Sequence, residues 1–401
     1  MVTRRWLGNL GAAVALGAIA LAMASSSACG EEGGGEKKGG IEPARTRVLK
    51  SSAQCALETS RDFLTKADAL VSAAAALEAA PTDAAKLSAA QTAWQDAMSQ
   101  WQRAEMMQFG PAASSTAAVG GQDLRDEIYS WPLVSTCRVD QKIVEQVWQG
   151  PLATEAVNAR GLDSIEYLLF HAGPENDCAA TNLINTDGSW QAITDLESRR
   201  AAYAHAAAKD VQARAQTLTS SWEPAEGNFV AKLADAGTSG PYPSQKEALN
   251  AVSDALFYVE LVVKDVKLAK PLGMTPECVA ASCPEMLEHQ TAKRAKRSIA
   301  DNMAGFALLY RGCGPGATGF DGLLRDKGGA AVADKIDAAL LDVDAKILAI
   351  EEDDLAEALA QDQPSVLALY EAVKRLTDVL KTEFVMVLDV EIPQTVGGDN
   401  D

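Results

Sequence analysis

Residues 161–170 read GLDSIEYLLF. Leu162, Ile165 and Leu169 recur at helical spacing and Leu168 widens the stripe, so the segment reads as a core-facing helix. Asp163, Glu166 and Phe170 form a second stripe at i, i+3 and i+7. Two acids three residues apart on one face repel mildly, and a cation between them would relieve that. Hard cations such as iron, magnesium or calcium take carboxylate oxygens readily. The plain alternative is that both acids point into water. Gly161 costs helix stability on the order of 1 kcal/mol relative to Ala. Close approach of another helix or a ligand would account for it, and so would a helix start.

Working outward, the pattern is helical almost throughout. RVLKSSAQCALETSRDFLTKADALVSAAAALEAA, from residue 47, repeats apolar residues at spacings of three and four until Pro81-Thr82-Asp83 breaks it. AAKLSAAQTAWQDAMSQWQRAEMMQF follows and is ended by Gly110-Pro111. A Trp131-Pro132 turn leads into RVDQKIVEQVWQ. The opening stretch is expected on a helix from about Ala153 to Phe170, followed by a long helix from about Trp190 to Trp222. AGTSGPYPSQ reads as an internal linker. Further helices are expected near 244–269, 285–310, 331–350 and 365–388. With no alternating strand pattern and a high Ala content, the expectation is an all-α fold. It comprises two helical-bundle domains, 46–240 and 241–401, with a site built between facing helices or in a cleft.

The composition is that of a globular protein, 47% hydrophobic and 23% charged over 401 residues. The formal net charge is −19. Loss of residues 1–28, which carry Arg4 and Arg5 and no acid, takes it to −21. Such a surface repels nucleic acid and anionic membranes and suits cationic partners, metal ions included.

The N-terminus has a short basic region, MVTRRWLGNL, an apolar run, AAVALGAIALAMA, and then SSSAC. That is the layout of a signal peptide over 1–28, with an apolar run too short for a membrane span. Small residues before Cys29 resemble a bacterial lipobox, although Ser26 stands where Leu is usual. The resemblance implies cleavage before Cys29 and a lipid on its sulfur. GEEGGGEKKGG would then serve as a tether within 29–45. Ordinary cleavage after small residues is the alternative, and Thr3–Leu7 faintly resembles a twin-arginine signal. Export implies an oxidising compartment, where the six remaining cysteines suggest disulfides. Cys278 and Cys283 bracket VAAS and are the favoured pair; with His289 they offer too few ligands for a closed zinc site.

GLDSIEYLLF resembles the signature of the imelysin-like family, G-x-H-x-x-E followed by an apolar run. AWQDAMSQWQRAEMMQFGP, LRDEIYSWP, KLAKPLG, SIADNMAGFALLYRG and the terminal GGDND resemble further family segments in order. The resemblance implies an all-helical, two-bundle protein of the periplasm or lipid-anchored to the bacterial envelope, associated with iron uptake or iron-regulated expression. Some members carry a metallopeptidase name. By position Gly161 and Glu166 match the motif, while Asp163 stands where the family has His. Glu105, Arg125, Trp131, Ser298 and Asn302 fall in the other segments as candidates for the same cleft. Trp94 and Trp101 read as core.

A zinc peptidase needs about three protein ligands and a general base, and H-E-x-x-H is absent. His171 reads as a helix C-terminal residue, and His205 and His289 as ordinary surface or core histidines. There is no G-x-S-x-G elbow, and GCGPGATG lacks the Gly-Lys-Ser/Thr ending of a P-loop. Asp163 in place of His favours oxygen donors and hard ions over zinc. The leading expectation is therefore a lipoprotein that binds a metal ion, iron favoured, or a metal-bearing ligand through Asp163 and Glu166. A metallopeptidase and a non-catalytic module for another envelope protein are the alternatives.

Overall fold

The computed structural model describes residues 43–396 apart from residue 315. The signal peptide, Cys29, most of the tether and the terminal GGDND lie outside the described residues. Every regular element among the described residues is helical.

Helix α1 (Ala44–Glu78) is the longest, and α2 (Ala84–Ala104) folds back beside it. The turn between them ends at Asp83, whose carboxylate accepts hydrogen bonds from the Ala85 and Lys86 N–H groups and so caps α2. Two short helices follow, α3 (Leu124–Ile128) and α4 (Thr136–Glu145). The opening stretch is α5 (Gly161–Phe170), which packs on α2 and on α6 (Leu196–Trp222); α6 runs along α1. Beyond residue 240 come α7 (Gln245–Leu256), a π-helix (Val259–Ala269), α8 (Ala295–Arg311), α9 (Ala330–Ala349) and α10 (Gln363–Val379). α9 pairs with α10, α10 packs on the π-helix, and α8 packs on α2.

Three sequence expectations are corrected by backbone geometry. The helix expected from Ala153 starts only at Gly161, with single 3-10 turns before it. Gly161 has φ +84°, and a Cβ there would meet the Ile128 carbonyl oxygen at 2.7 Å. Close approach and helix start are thus both its reasons. The helix expected over 285–310 begins only at Ala295, because His289 and Lys293 both take φ 54° and a left-handed residue ends a right-handed helix. The segment expected as one helix over 244–269 is an α-helix followed by the π-helix, whose Glu260, Lys264 and Lys267 are all buried.

Contacts across residue 240 are close. Cys55 on α1 is bonded to Cys313 just beyond α8, and Cys137 to Cys178 and Cys278 to Cys283 form two further disulfides. A Cβ on Gly305 of α8 would meet the Arg103 carbonyl oxygen at 2.5 Å and Met106 Cγ at 2.8 Å. α8 and α2 therefore touch nearly backbone to backbone. Gly305→Ala is expected to lower stability by about 1–3 kcal/mol through this overpacking, read as a lower urea midpoint at unchanged m-value.

Candidate functional site

A cleft of about 620 Å³ opens where segments from both sides of residue 240 meet. Its walls are the turn from Trp131 to Cys137, α5, the end of the π-helix and the loop after Cys283. The turn begins with a cis Trp131–Pro132 peptide. Asp163 and Glu166 of α5 lie at the cleft, and both are buried, at 5% and 7% exposure. Their stripe is thus neither a wet face nor plain core.

Each acid is held by a different segment. Asp163 Oδ2 accepts hydrogen bonds from the Ser130 N–H (2.7 Å) and the Ser130 hydroxyl (3.1 Å). Its other oxygen, Oδ1, has no hydrogen-bond partner among the described residues. Burial pushes the Asp163 carboxyl up to about 7, against the pull of the Ser130 N–H and the nearby His289. Glu166 Oε1 accepts from the Ala292 N–H (3.0 Å), and Oε2 lies 2.6 Å from His289 Nδ1.

The sequence reading took His289 for an ordinary surface or core histidine, yet it lines the cleft beside Glu166. No spacing pattern could have found it, since 123 residues separate it from Glu166. Its ring stacks on Tyr129 and meets Trp94 edge-on. Its Nε2 lies 3.3 Å from the Tyr129 hydroxyl and 3.6 Å from Glu288 Oε1. Behind it a buried ionic cluster begins. Glu288 Oε1 accepts from Tyr129 (2.6 Å), Gln102 (3.0 Å) and the Lys267 ammonium (2.9 Å). Burial pushes Glu288 up, but Lys267, His289 and the Tyr129 hydroxyl outweigh it and hold the carboxyl at about 2. Lys267 also donates to Gln102 Oε1 and Asn302 Oδ1, each at 2.7 Å.

The remaining sequence candidates divide. Trp131 lines the cleft, and the Lys267 ammonium lies over its ring at 5.7 Å. Glu105 and Arg125 form a buried ion pair at 2.8 Å, and Arg125 also donates to the Trp131 carbonyl, so they brace the cleft from behind. Asn302 accepts from Lys267 and donates to the Gln102 carbonyl, and does not line the cleft. Ser298 is buried, accepts from Arg294 at 2.6 Å and does not line the cleft either. Gly161 sets the start of α5. Cys278 and Cys283 tie off the loop that carries Glu277 at the cleft edge.

A resident catalytic metal does not fit these side chains as they stand. Both Glu166 oxygens and one Asp163 oxygen are engaged with protein donors. Among the described residues no group of three or more His, Cys, Asp or Glu side chains is arranged to hold a metal ion.

An all-helical architecture with a buried acid motif at a cleft defines the class. The chain matches the Imelysin family model, whose name carries a peptidase label, over residues 56–382, and it belongs to that family. It is similar in structure to an imelysin-like protein from Psychrobacter arcticum, with a TM-score of 0.66 and 20% identity over 88% of this chain and 98% of that one. It is also similar to a protein of Parabacteroides distasonis described as an iron-regulated protein A precursor, with a TM-score of 0.63 and 17% identity over 86% of this chain and 97% of that one. At these identities the likeness shows the fold alone. No curated protein matches the chain.

Two outcomes follow from this geometry. Lys267→Met leaves Glu288 charged and buried without its cation and is expected to cost about 3–5 kcal/mol, measured by urea unfolding. The raised Asp163 carboxyl keeps its proton in the fold after the unfolded chain has lost it. Stability is therefore expected to fall as pH rises from about 4 to about 7. His289, Glu166 and Arg125 are the charges around it. Asp163→Asn should flatten that part of the profile in denaturation midpoints taken at successive pH values.

Proposed function

We propose that this protein is a cargo-binding member of the imelysin family, lipid-anchored through Cys29 to the cell envelope, whose cleft takes up a cation. Iron, free or in a metal-bearing ligand, is the cargo favoured by its company with the iron-regulated neighbour. The observation that carries the reading is the charge of the cleft. Asp163, Glu166, Asp177, Glu277 and Glu285 line it, with Lys270 the one lysine or arginine among the lining residues. Low-dielectric walls and one sign of charge concentrate counter-ions.

Exposed Asp177 and Glu285 make no ion pair among the described residues, so both are free to turn toward a hard cation. The metal here is cargo, not a resident catalytic ion, and no hydrolytic step is assigned to these residues. Asp163 and Glu166 supply the field at the floor, while Ser130, Ala292 and His289 hold the two mutually repelling carboxylates in place.

Isothermal titration with ferrous and ferric salts tests the proposal. Wild type is expected to bind, and Asp177→Asn with Glu285→Gln to bind more weakly at unchanged melting temperature. No heat with either ion sinks the iron cargo. Chelator-sensitive cleavage of a peptide library by the purified chain would replace the binding reading with the peptidase one.

A further inference from the structure

The shape and donor set of the cleft are a poor match to a bare ion. Hard cations gather about six or more oxygens. At the floor only one carboxylate oxygen, Asp163 Oδ1, is without a hydrogen-bond partner; the Glu166 oxygens are taken by Ala292 and His289. Asp163 is 5% exposed and lines the cleft, and Oδ1, which has no protein donor among the described residues and is not fully buried, is the part of its side chain left open there. An open acceptor on a side chain otherwise enclosed by protein can take a donor brought by a ligand.

The rest of the cleft suits an organic body. Its volume of about 620 Å³ lies within the usual range for small-molecule sites. Trp131, Pro132, Val266, Met286 and Leu287 supply apolar wall beneath the acidic edge. Apolar walls, one open acceptor at depth and carboxylates at the mouth call for a ligand with an apolar stem and a charged donor head. An alkylammonium or guanidinium group has those parts: several N–H donors on a planar or tetrahedral head and methylenes behind it.

We propose that the cleft recognises an organic cation, a primary amine or guanidinium on an aliphatic chain, whose head donates to Asp163 Oδ1 and whose second charged end meets Asp177, Glu277 or Glu285. The proposal rests on the reading that this cleft is the binding site, and it names a different cargo chemistry from a bare metal ion. A two-ended cation is preferred to a one-ended one because acids stand both at the floor and at the mouth. Charge-assisted hydrogen bonds at both ends fix the length of chain accepted.

Titration of the purified chain with cadaverine, agmatine and the neutral 1,5-pentanediol tests it. Both cations are expected to bind and the diol not to, with affinity falling as salt rises. Asp163→Asn is expected to weaken cadaverine binding by about tenfold or more. Since Asp163 is buried, the exposed pair Asp177→Asn with Glu285→Gln provides a second variant whose fold is not at risk; it should weaken cadaverine more than butylamine. Absence of binding by both cations, or equal binding of the diol, overturns the proposal. So does indifference to both variants. Binding of iron salts without binding of either amine also overturns it and leaves the cation-cargo reading standing. Binding of the amines without iron supports it and removes the iron cargo.

Discussion

Lys267 carries an ammonium group into a place that water does not reach, at 1% exposure, and the molecule is organised around satisfying it. The three partners it bonds come from three segments: Gln102 from α2, Asn302 from α8 and Glu288 from the loop after Cys283. An isolated buried charge costs several kcal/mol, so these segments are held in register by the need to keep every donor of the ammonium paired. The π-helix that bears Lys267 thereby fixes the distance between the part of the chain before residue 240 and the part after it.

The same constraint reaches the cleft by a short route. Lys267 keeps Glu288 ionised, Glu288 and Tyr129 frame one side of His289, and His289 meets Glu166 on the other. Every link is buried, where hydrogen bonds are strong and an unmade one is expensive. His289 also sits at φ 54°, a conformation that a non-glycine residue adopts only where its surroundings over-determine it. The loop that carries it is therefore positioned by the ionic cluster and not by helix propensity. The cleft wall on that side inherits its rigidity from the core.

The fold was legible in the sequence because helical periodicity is local. The break at Pro81–Asp83, the span of α1 and the all-α class follow from local spacing and breakers, whereas the second helix, read on to Phe109, stops at Ala104. The start of α5 was harder, since Gly161 could be excused either by close approach or by a helix start, and the structure shows that both apply. The 287–294 segment was missed altogether. Its apolar spacing suits a helix, and of the two left-handed residues that break it His289 is held by Glu166 and Tyr129, more than a hundred positions away. For the same reason Asp163 and Glu166 could be singled out from their own helix, while His289, Tyr129 and Lys267 could not.

Asp163 stands where the family signature has His, and the geometry gives that difference a physical meaning. A carboxylate has two acceptor oxygens; here Ser130 takes one and the cleft receives the other. A neutral imidazole in the same place has one acceptor at most, and after bonding to the Ser130 N–H it would offer the cleft a donor or nothing. The substitution thus reverses the polarity of the floor and adds a negative charge to a cleft whose edge is already acidic. Burial raises the Asp163 carboxyl, and the neighbouring Glu166 adds to the rise. A positive charge in the space between the acids would favour their ionised forms.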